Sequence, residues 1–538
     1  MSFKTHFRAM LGSTALVAAS TLPGLAIELH ILHFNDFHSR IEPINRFNST
    51  CSASDEAEGK CYGGAARLFT LINQMRTAIS AEGHPVLVLS AGDESQGSLY
   101  YTTYGGQAEA EMNLRIGLDA MAVGNHEFDN GPEGLLVFAD QDEYPVVAAN
   151  IDVSQNNLLA GRIVPWAILD AGNGLRVGIV GAVTEDTPEI ASPGPTIAFS
   201  SAVDAVRAGV EAMHAEGVNT VIALTHVGYV GEQRIAAEVA GLTAVVGGHS
   251  HTYLSATDPR REGPYPTWVD NVDGSIVPVV QAGAYSRYLG HLVLDLDDDG
   301  NLIYASGDTI EINAEVQPDP AIAEWVAGMA GPIEATRSEI VGEAAAPIEG
   351  DRAVCRQMEC AMGNLLADAM LARVAGQGIT IAFQNGGGLR ASIGDGTITM
   401  GEVLEVLPFQ NTLATFELTG ADIVTSLENG VSQLEEGAGR FAQVGGLQYT
   451  FDPAAPAGSR VSDVMVQREG AWVPIDPEAT YGVVTNDFVR KGGDGFALFR
   501  DHAINAYDFG PDLADVVAEY LAEHSPYTPY TDGRITRR

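Results

Sequence analysis

Ala120-Met121-Ala122-Val123 runs directly into Gly124-Asn125-His126-Glu127-Phe128-Asp129. The apolar part has the length of a buried strand, and the polar part begins where such a strand would stop. The same pattern recurs along the chain. Leu29 to Phe34 leads into Asn35-Asp36-Phe37-His38, and Val86 to Leu89 into Ser90-Ala91-Gly92-Asp93. Val221 to Leu224 leads into Thr225-His226, and Ala244 to Val246 into Gly247-Gly248-His249-Ser250-His251. Helical stretches lie between them, such as Ser201 to Glu216, which Gly217 closes. Alternating strands and helices predict an α/β layered domain from Glu28 to about Asn313. Leu289 to Tyr304, with Asp299-Gly300 in its middle, predicts a terminal hairpin.

In open α/β sheets, ligands bind beyond the carboxyl ends of the strands. Taken singly, these tips say little. A strand-end Asp is ordinarily a turn cap, and a lone His226 could be a satisfied core histidine. Taken together, Asp36, His38, Asp93, Asn125, His226, His249 and His251 are more donors than one tetrahedral ion takes. The pattern therefore expects two divalent ions, with Asp93 as the natural bridge. Mixed oxygen and imidazole donors suit Zn²⁺ first, then Mn²⁺, Co²⁺ or Fe²⁺, and argue against Ca²⁺. Two close ions are an arrangement for phosphoryl transfer. His126 is left over as a non-ligand. Its place beside Asn125 fits a group that stabilises phosphoryl charge or protonates a leaving alkoxide. Asp129, three residues on, is placed to orient the ring.

The rest of the chain reads more thinly. Pro320 to Glu343 is rich in Ala and Glu and reads as a helical connector. A second, smaller α/β unit follows, opening with a helix near Ala361 to Val374 and a strand Ile379 to Phe383. The expected division is a signal peptide over 1–26, a phosphoesterase domain over 27–318, the connector over 319–343 and a C-terminal domain over 344–538. Lys4 and Arg8, an apolar run and the small-residue end Gly24-Leu25-Ala26 carry the leader reading, hence export to a periplasm or the medium. No later stretch is apolar and long enough to span a bilayer. The formal net charge of -41 argues against nucleic acid polymers and anionic membranes as partners. Such acidity also demands local cations wherever an anionic substrate binds. Cys51, Cys61, Cys355 and Cys360 allow three connectivities. Export and sequence closeness favour 51–61 and 355–360, and the spacing argues against a thiolate zinc site. By themselves, Gly386-Gly387-Gly388 could be a mere turn and Phe409 a core residue. Arg356 fits a phosphate fork.

Gly124-Asn125-His126-Glu127 and Gly248-His249-Ser250-His251 resemble the calcineurin-like metallophosphoesterases. A fuller set resembles the 5'-nucleotidase family: Asn35 to Arg40, Gly63-Gly64-Ala65-Ala66-Arg67, Asn385 to Arg390, Gly492 to Phe496 and Asp532 to Ile535. Cys355 to Asn364 and the Cys51–Cys61 insertion are more like the animal ecto-enzymes than the UDP-sugar hydrolase branch. His251 departs from the ecto-enzymes, which carry an amide there. The resemblance implies a layered αββα metallophosphoesterase domain with a nucleotide-binding C-terminal domain. It implies that Asp36, His38, Asp93 and His251 hold one metal, and Asp93, Asn125, His226 and His249 the other. His126 and Asp129 would be the catalytic pair. Arg356, Asn385 and Arg390 would meet the phosphate and neighbouring polar groups, Phe409 and Phe488 would stack on the base, and Asp494 would hold the ribose. The implied activity is hydrolysis of nucleoside 5'-monophosphates. UDP-sugars, nucleoside di- or triphosphates and 2',3'-cyclic nucleotides are the alternatives, and a non-catalytic nucleotide-binding protein is the remaining one.

Overall fold

The computed structural model describes residues 27–538 apart from Phe47, Gln410, Glu469 and Phe509. The leader expected over residues 1–26 lies outside the described residues. Strand Ile27–Phe34 is buried from Leu29 onward because neighbours cover it on both edges and both faces. It pairs antiparallel with Tyr288–Leu296 and parallel with Val86–Ser90. The sheet continues through Ala120–Ala122, Val146–Val147 and Ile163–Val164, with Leu302–Glu311 on its other edge. A second sheet runs Thr267–Asp270, Ile276–Val280, Ala244–Val246, Thr220–His226, Arg176–Val183, Trp166–Asp170.

The two sheets pack face to face through Leu29, Ile31, Leu87 and Leu89 against Val177, Ile179, Ile222 and Leu224. Helices Ala65–Glu82, Gln107–Ile116 and Pro132–Ala139 cover the outer face of the first sheet. Ala202–Ala215 and Tyr229–Glu238 cover the second. The result is an αββα stack. Ser201 caps its helix by accepting from the Asp204 amide, where the periodicity places the start. The hairpin is also present, with nine-residue pairing between Tyr288–Leu296 and Leu302–Glu311.

The stretch read as one helical connector differs. Helix Pro320–Ala330 stops at Gly331-Pro332, since proline has no amide to donate and restrains the residue before it. Its Ile322 and Val326 pack into the core beneath helix Ala65–Glu82. A short turn of helix, Glu334–Arg337, follows, and Ile340–Ala344 is a strand paired with Gly396–Thr399. β-Branched Ile340 and Val341 suit that strand.

Beyond it, Ile379–Asn385 lies between Ala442–Gly445 and Thr480–Asn486 in a five-stranded sheet completed by Leu413–Thr419 and Ile504–Tyr507. Helices Ala361–Arg373 and Leu513–Glu523 cover one face. Helix Gly420–Gly430 and a four-stranded sheet cover the other. The disulfides are Cys51–Cys61 and Cys355–Cys360. No helix of the described residues is long and apolar enough to cross a membrane.

Candidate active site

The seven metal-ligand candidates converge where the strands of both sheets end. Five of them hold left-handed backbone: Asp36 (φ 51), His38 (φ 49), Asp93 (φ 57), His249 (φ 76) and His251 (φ 57). That conformation costs a residue with a Cβ about 1–2 kcal/mol and concentrates at functional sites. Here it turns each side chain from its strand tip into one common space. Gly124 has no such choice. A Cβ there would lie 2.3 Å from the Asp93 amide nitrogen, so only glycine lets the Asn125 tip reach the Asp93 tip.

Two groups form. Asp36, His38 and His251 offer donor atoms all within 4.8 Å of one another, and so do Asp93, His226 and His249. Asp93 stands between them, with Oδ2 3.0 Å from His226 Nε2 and 3.8 Å from His38 Nε2. His251 Nε2 is 3.0 Å from Asp36 Oδ1. Two of the remaining ring nitrogens are held by backbone carbonyls. His226 Nδ1 lies 2.7 Å from the Ala91 carbonyl and His38 Nδ1 3.2 Å from the Ser95 carbonyl. Each donates there, which turns Nε2 into the site. Asp36 Oδ1, Asn125 Oδ1 and His226 Nε2 are buried without a hydrogen-bond partner. Orphaned, converging oxygen and imidazole donors are what a divalent cation satisfies, so the residues fit the two-ion expectation.

The electrostatics agree. Burial keeps His38, His249 and His251 neutral, the form that ligates. Burial also opposes charge on His226, yet Asp93 and Asp36 outweigh it and lift its pKa to about 10. Burial would raise Asp93, but His226 and His126 hold it well below the usual carboxylate range. The carboxylates thus draw positive charge into the site.

His126 is the neighbour of a ligand candidate rather than a member of either group. Its Nδ1 is 2.6 Å from Asp129 Oδ2, which also accepts from Gln96 Nε2 at 3.2 Å. Burial disfavours the imidazolium, but Asp129 and Asp93 overcome this and raise the pKa. The His126 amide donates to Asp93 Oδ1 at 2.9 Å, so backbone ties the two strand tips together.

A cleft of about 1400 Å³ opens on this ligand array. His126, Asp129, Asn125 and Asp93 line one wall, with His249 and His251. Arg356, Asn385, Arg390, Phe409, Phe488 and Asp494 line the other. Asp36, His38 and His226 sit beneath the surface, fully buried. The walls touch: Arg390 Nη2 is 3.0 Å from His38 Nε2, and the Phe409 ring stacks on His126 at 5.7 Å. Asn385 Nδ2 donates to Asp494 Oδ2 at 2.6 Å. Phe488 lies against Gly493, where any Cβ would come within 2.5 Å of its ring.

Three functional features escape a reading of the sequence. Arg352 lines the cleft with Arg356 and Arg390. Burial lowers the pKa of Arg352 and Arg356, and the neighbouring guanidiniums, with Arg390 common to both, lower it further. Cations crowded against one another in a chain of charge -41 mark a demand for a multiply charged anion. The i, i+4 spacing of Arg352 and Arg356 is the signal that could have found it. Glu127 is buried and accepts from the amides of Asp93, Ser95 and Gly124. It holds two strand tips in register without touching the cleft. Glu232 does the same for the Gly248 amide, and its carboxylate fills the space a Cβ at Gly247 would need. Glu127→Ala is expected to cost about 3 kcal/mol or more, since three buried amides lose their acceptor. Denaturant unfolding of the variant checks this, and an unchanged midpoint would refute it.

Residues 29–253 match the family model of the calcineurin-like phosphoesterases, and residues 340–501 that of the 5'-nucleotidase C-terminal domain. Human 5'-nucleotidase is 35% identical over 531 residues, covering 95% of this chain and 91% of that protein. The chain belongs to the 5'-nucleotidase family. The venom 5'-nucleotidase of Gloydius brevicauda is 34% identical, over 98% of this chain and 91% of that one. A solved 5'-nucleotidase precursor from Thermus thermophilus superposes with a TM-score of 0.89 at 40% identity, over 95% of this chain and 99% of that one. As a member of the family, the chain is a phosphoric monoester hydrolase whose fold implies divalent metal ions.

Proposed function

We propose that this chain is an exported 5'-nucleotidase using two metal ions, which cleaves nucleoside 5'-monophosphates such as AMP to nucleoside and phosphate. The observation that carries the reading is the cleft itself. One wall presents two donor groups joined by Asp93, and the facing wall presents three arginines and two half-buried phenylalanines. Asp36, His38, Asp93 and His251 would hold one ion, and Asp93, Asn125, His226 and His249 the other. Divalent ions supply charge neutralisation on the phosphoryl oxygens and a water acidic enough to attack phosphorus.

The chain's own residues supply the rest. Arg356 and Arg390, with Arg352 beside them on the cleft wall, hold the phosphate oxygens and fix the ester for in-line attack. As the P–O bond breaks, the leaving 5'-oxygen takes a proton. His126 is the group placed to give it. Asp129 occupies Nδ1, so the proton leaves from Nε2. Asp494, oriented by Asn385, accepts from the ribose hydroxyls. Phe409 and Phe488 hold the base. The leader features of residues 1–26 and the two disulfides support export to a periplasm or the medium.

Phosphate release from AMP, UDP-glucose, ATP and 2',3'-cyclic AMP after Zn²⁺, Mn²⁺ or Co²⁺ loading tests the reading. The highest kcat/KM is expected for a nucleoside 5'-monophosphate. The third arginine favours one second reading, a substrate with more than one phosphate. A higher kcat/KM for ATP or UDP-glucose would replace the first reading with it. The aromatic pair gives a separate test. A base stacked on a ring is worth about 1–3 kcal/mol. Phe488→Ala is therefore expected to raise KM for AMP about tenfold, while hydrolysis of a small baseless phosphate ester hardly changes. Equal damage to both substrates would show that Phe488 is a packing residue.

A further inference from the structure

At the opposite end of the first sheet, a second set of donors meets. His30 lies near the start of strand Ile27–Phe34, beside Val86 at the start of the parallel strand. The His30 amide donates to the Pro85 carbonyl, which brings His84 alongside. Glu28 Oε1 is 2.9 Å from His30 Nε2 and 3.9 Å from His84 Nε2. The donor atoms of Glu28, His30 and His84 all lie within 4.8 Å of one another. Two ligands of one tetrahedral ion, at bonds of roughly 2.0–2.2 Å, sit about 3.3 Å apart. The observed separations bracket that value.

His30 is built in, with its side chain 9% exposed, while Glu28 and His84 are 39% and 34% exposed and leave a path for an ion. On its far side, His30 Nδ1 is 2.8 Å from Nε2 of His291, which reaches over from the antiparallel neighbour Tyr288–Leu296. One proton serves that contact. With His30 Nδ1 as the donor, Nε2 of His30 is a lone pair facing the Glu28 carboxylate oxygen, and a cation between them satisfies both; with His291 as the donor, His30 Nε2–H donates to Glu28 instead. A second proton on His30 would satisfy Glu28 alone. It does not account for His84, whose nitrogen stands beyond hydrogen-bond range of that carboxylate.

We propose that Glu28, His30 and His84 bind a divalent transition-metal ion of the zinc class, with His291 fixing the ligating tautomer of His30. Two imidazoles and one carboxylate leave a fourth position for water. The site stands at the amino ends of strands whose carboxyl ends carry Asp36, His38 and Asp93, so it is independent of the catalytic array.

The test is the zinc content of the full chain after dialysis against buffered Zn²⁺. Wild type is expected to carry one more Zn²⁺ per chain than His84→Ala or Glu28→Gln. Glu28→Gln keeps the shape of the side chain and removes only the anionic donor. With Co²⁺ in place of Zn²⁺, the visible ligand-field absorption assignable to this site should vanish in both variants. Phosphate release should be unchanged in both. Failure of the two-ion active site would lower the zinc content of all three proteins alike and leave the difference of one intact. Equal zinc content in wild type and both variants would overturn the proposal.

Discussion

Exhaustive chelation is expected to abolish phosphate release, and Zn²⁺, Mn²⁺ or Co²⁺ to restore it. The expectation rests on the cost of what is already folded. Five ligand candidates hold left-handed backbone, and Asp36 Oδ1, Asn125 Oδ1, His226 Nε2 and His251 Nδ1 are buried without a hydrogen-bond partner. Strain and desolvation of that kind persist only if something in the working protein uses them. Without cations, the phosphate would meet the Asp93 carboxylate on the cleft wall, with Asp36 buried behind it, and like charges would repel. Metal content by mass spectrometry, followed alongside activity, checks the result. Full activity in a verified metal-free sample would sink the two-ion reading.

Replacing His126 by Ala is expected to lower kcat by about 10²–10⁴, the usual worth of a positioned acid or charge stabiliser. Metal content should hold, because the contact that ties His126 to the ligand array is its backbone amide on Asp93 Oδ1. Alanine keeps that amide. The substrate adds discrimination. An aryl phosphate, whose leaving oxygen needs little help from a proton, should lose less than AMP. An equal loss on both would make His126 a stabiliser of phosphoryl charge rather than the acid. A near-normal kcat with both ions bound would remove it from the chemistry.

Both results rest on donors that are legible in the amino-acid sequence. Asp36, His38, Asp93, Asn125, His226, His249 and His251 announce themselves because chemistry at a strand tip is local. An apolar run fixes the strand, the run ends, and the next polar residue is at the sheet's carboxyl edge. Helix Ala202–Ala215 and the hairpin around Asp299-Gly300 are local in the same sense, set by a cap, a period and a turn. Ile340–Ala344 is not legible as a strand, since its partner Gly396–Thr399 is more than fifty residues away and its Ala- and Glu-rich approach has helical propensity.

Periodicity and residue type carry the layered α/β class, the donor set and the family resemblance, so those are properties of the chain read in order. Three other features are properties of the packed molecule. Asp93 faces both histidine groups, Glu127 ties strand tips together from behind, and Arg352 joins Arg356 and Arg390. The meeting of Glu28, His30 and His84 at one point is a fourth. Each depends on which segments lie side by side, and side-by-side placement is set by packing over the whole core rather than by neighbours along the chain.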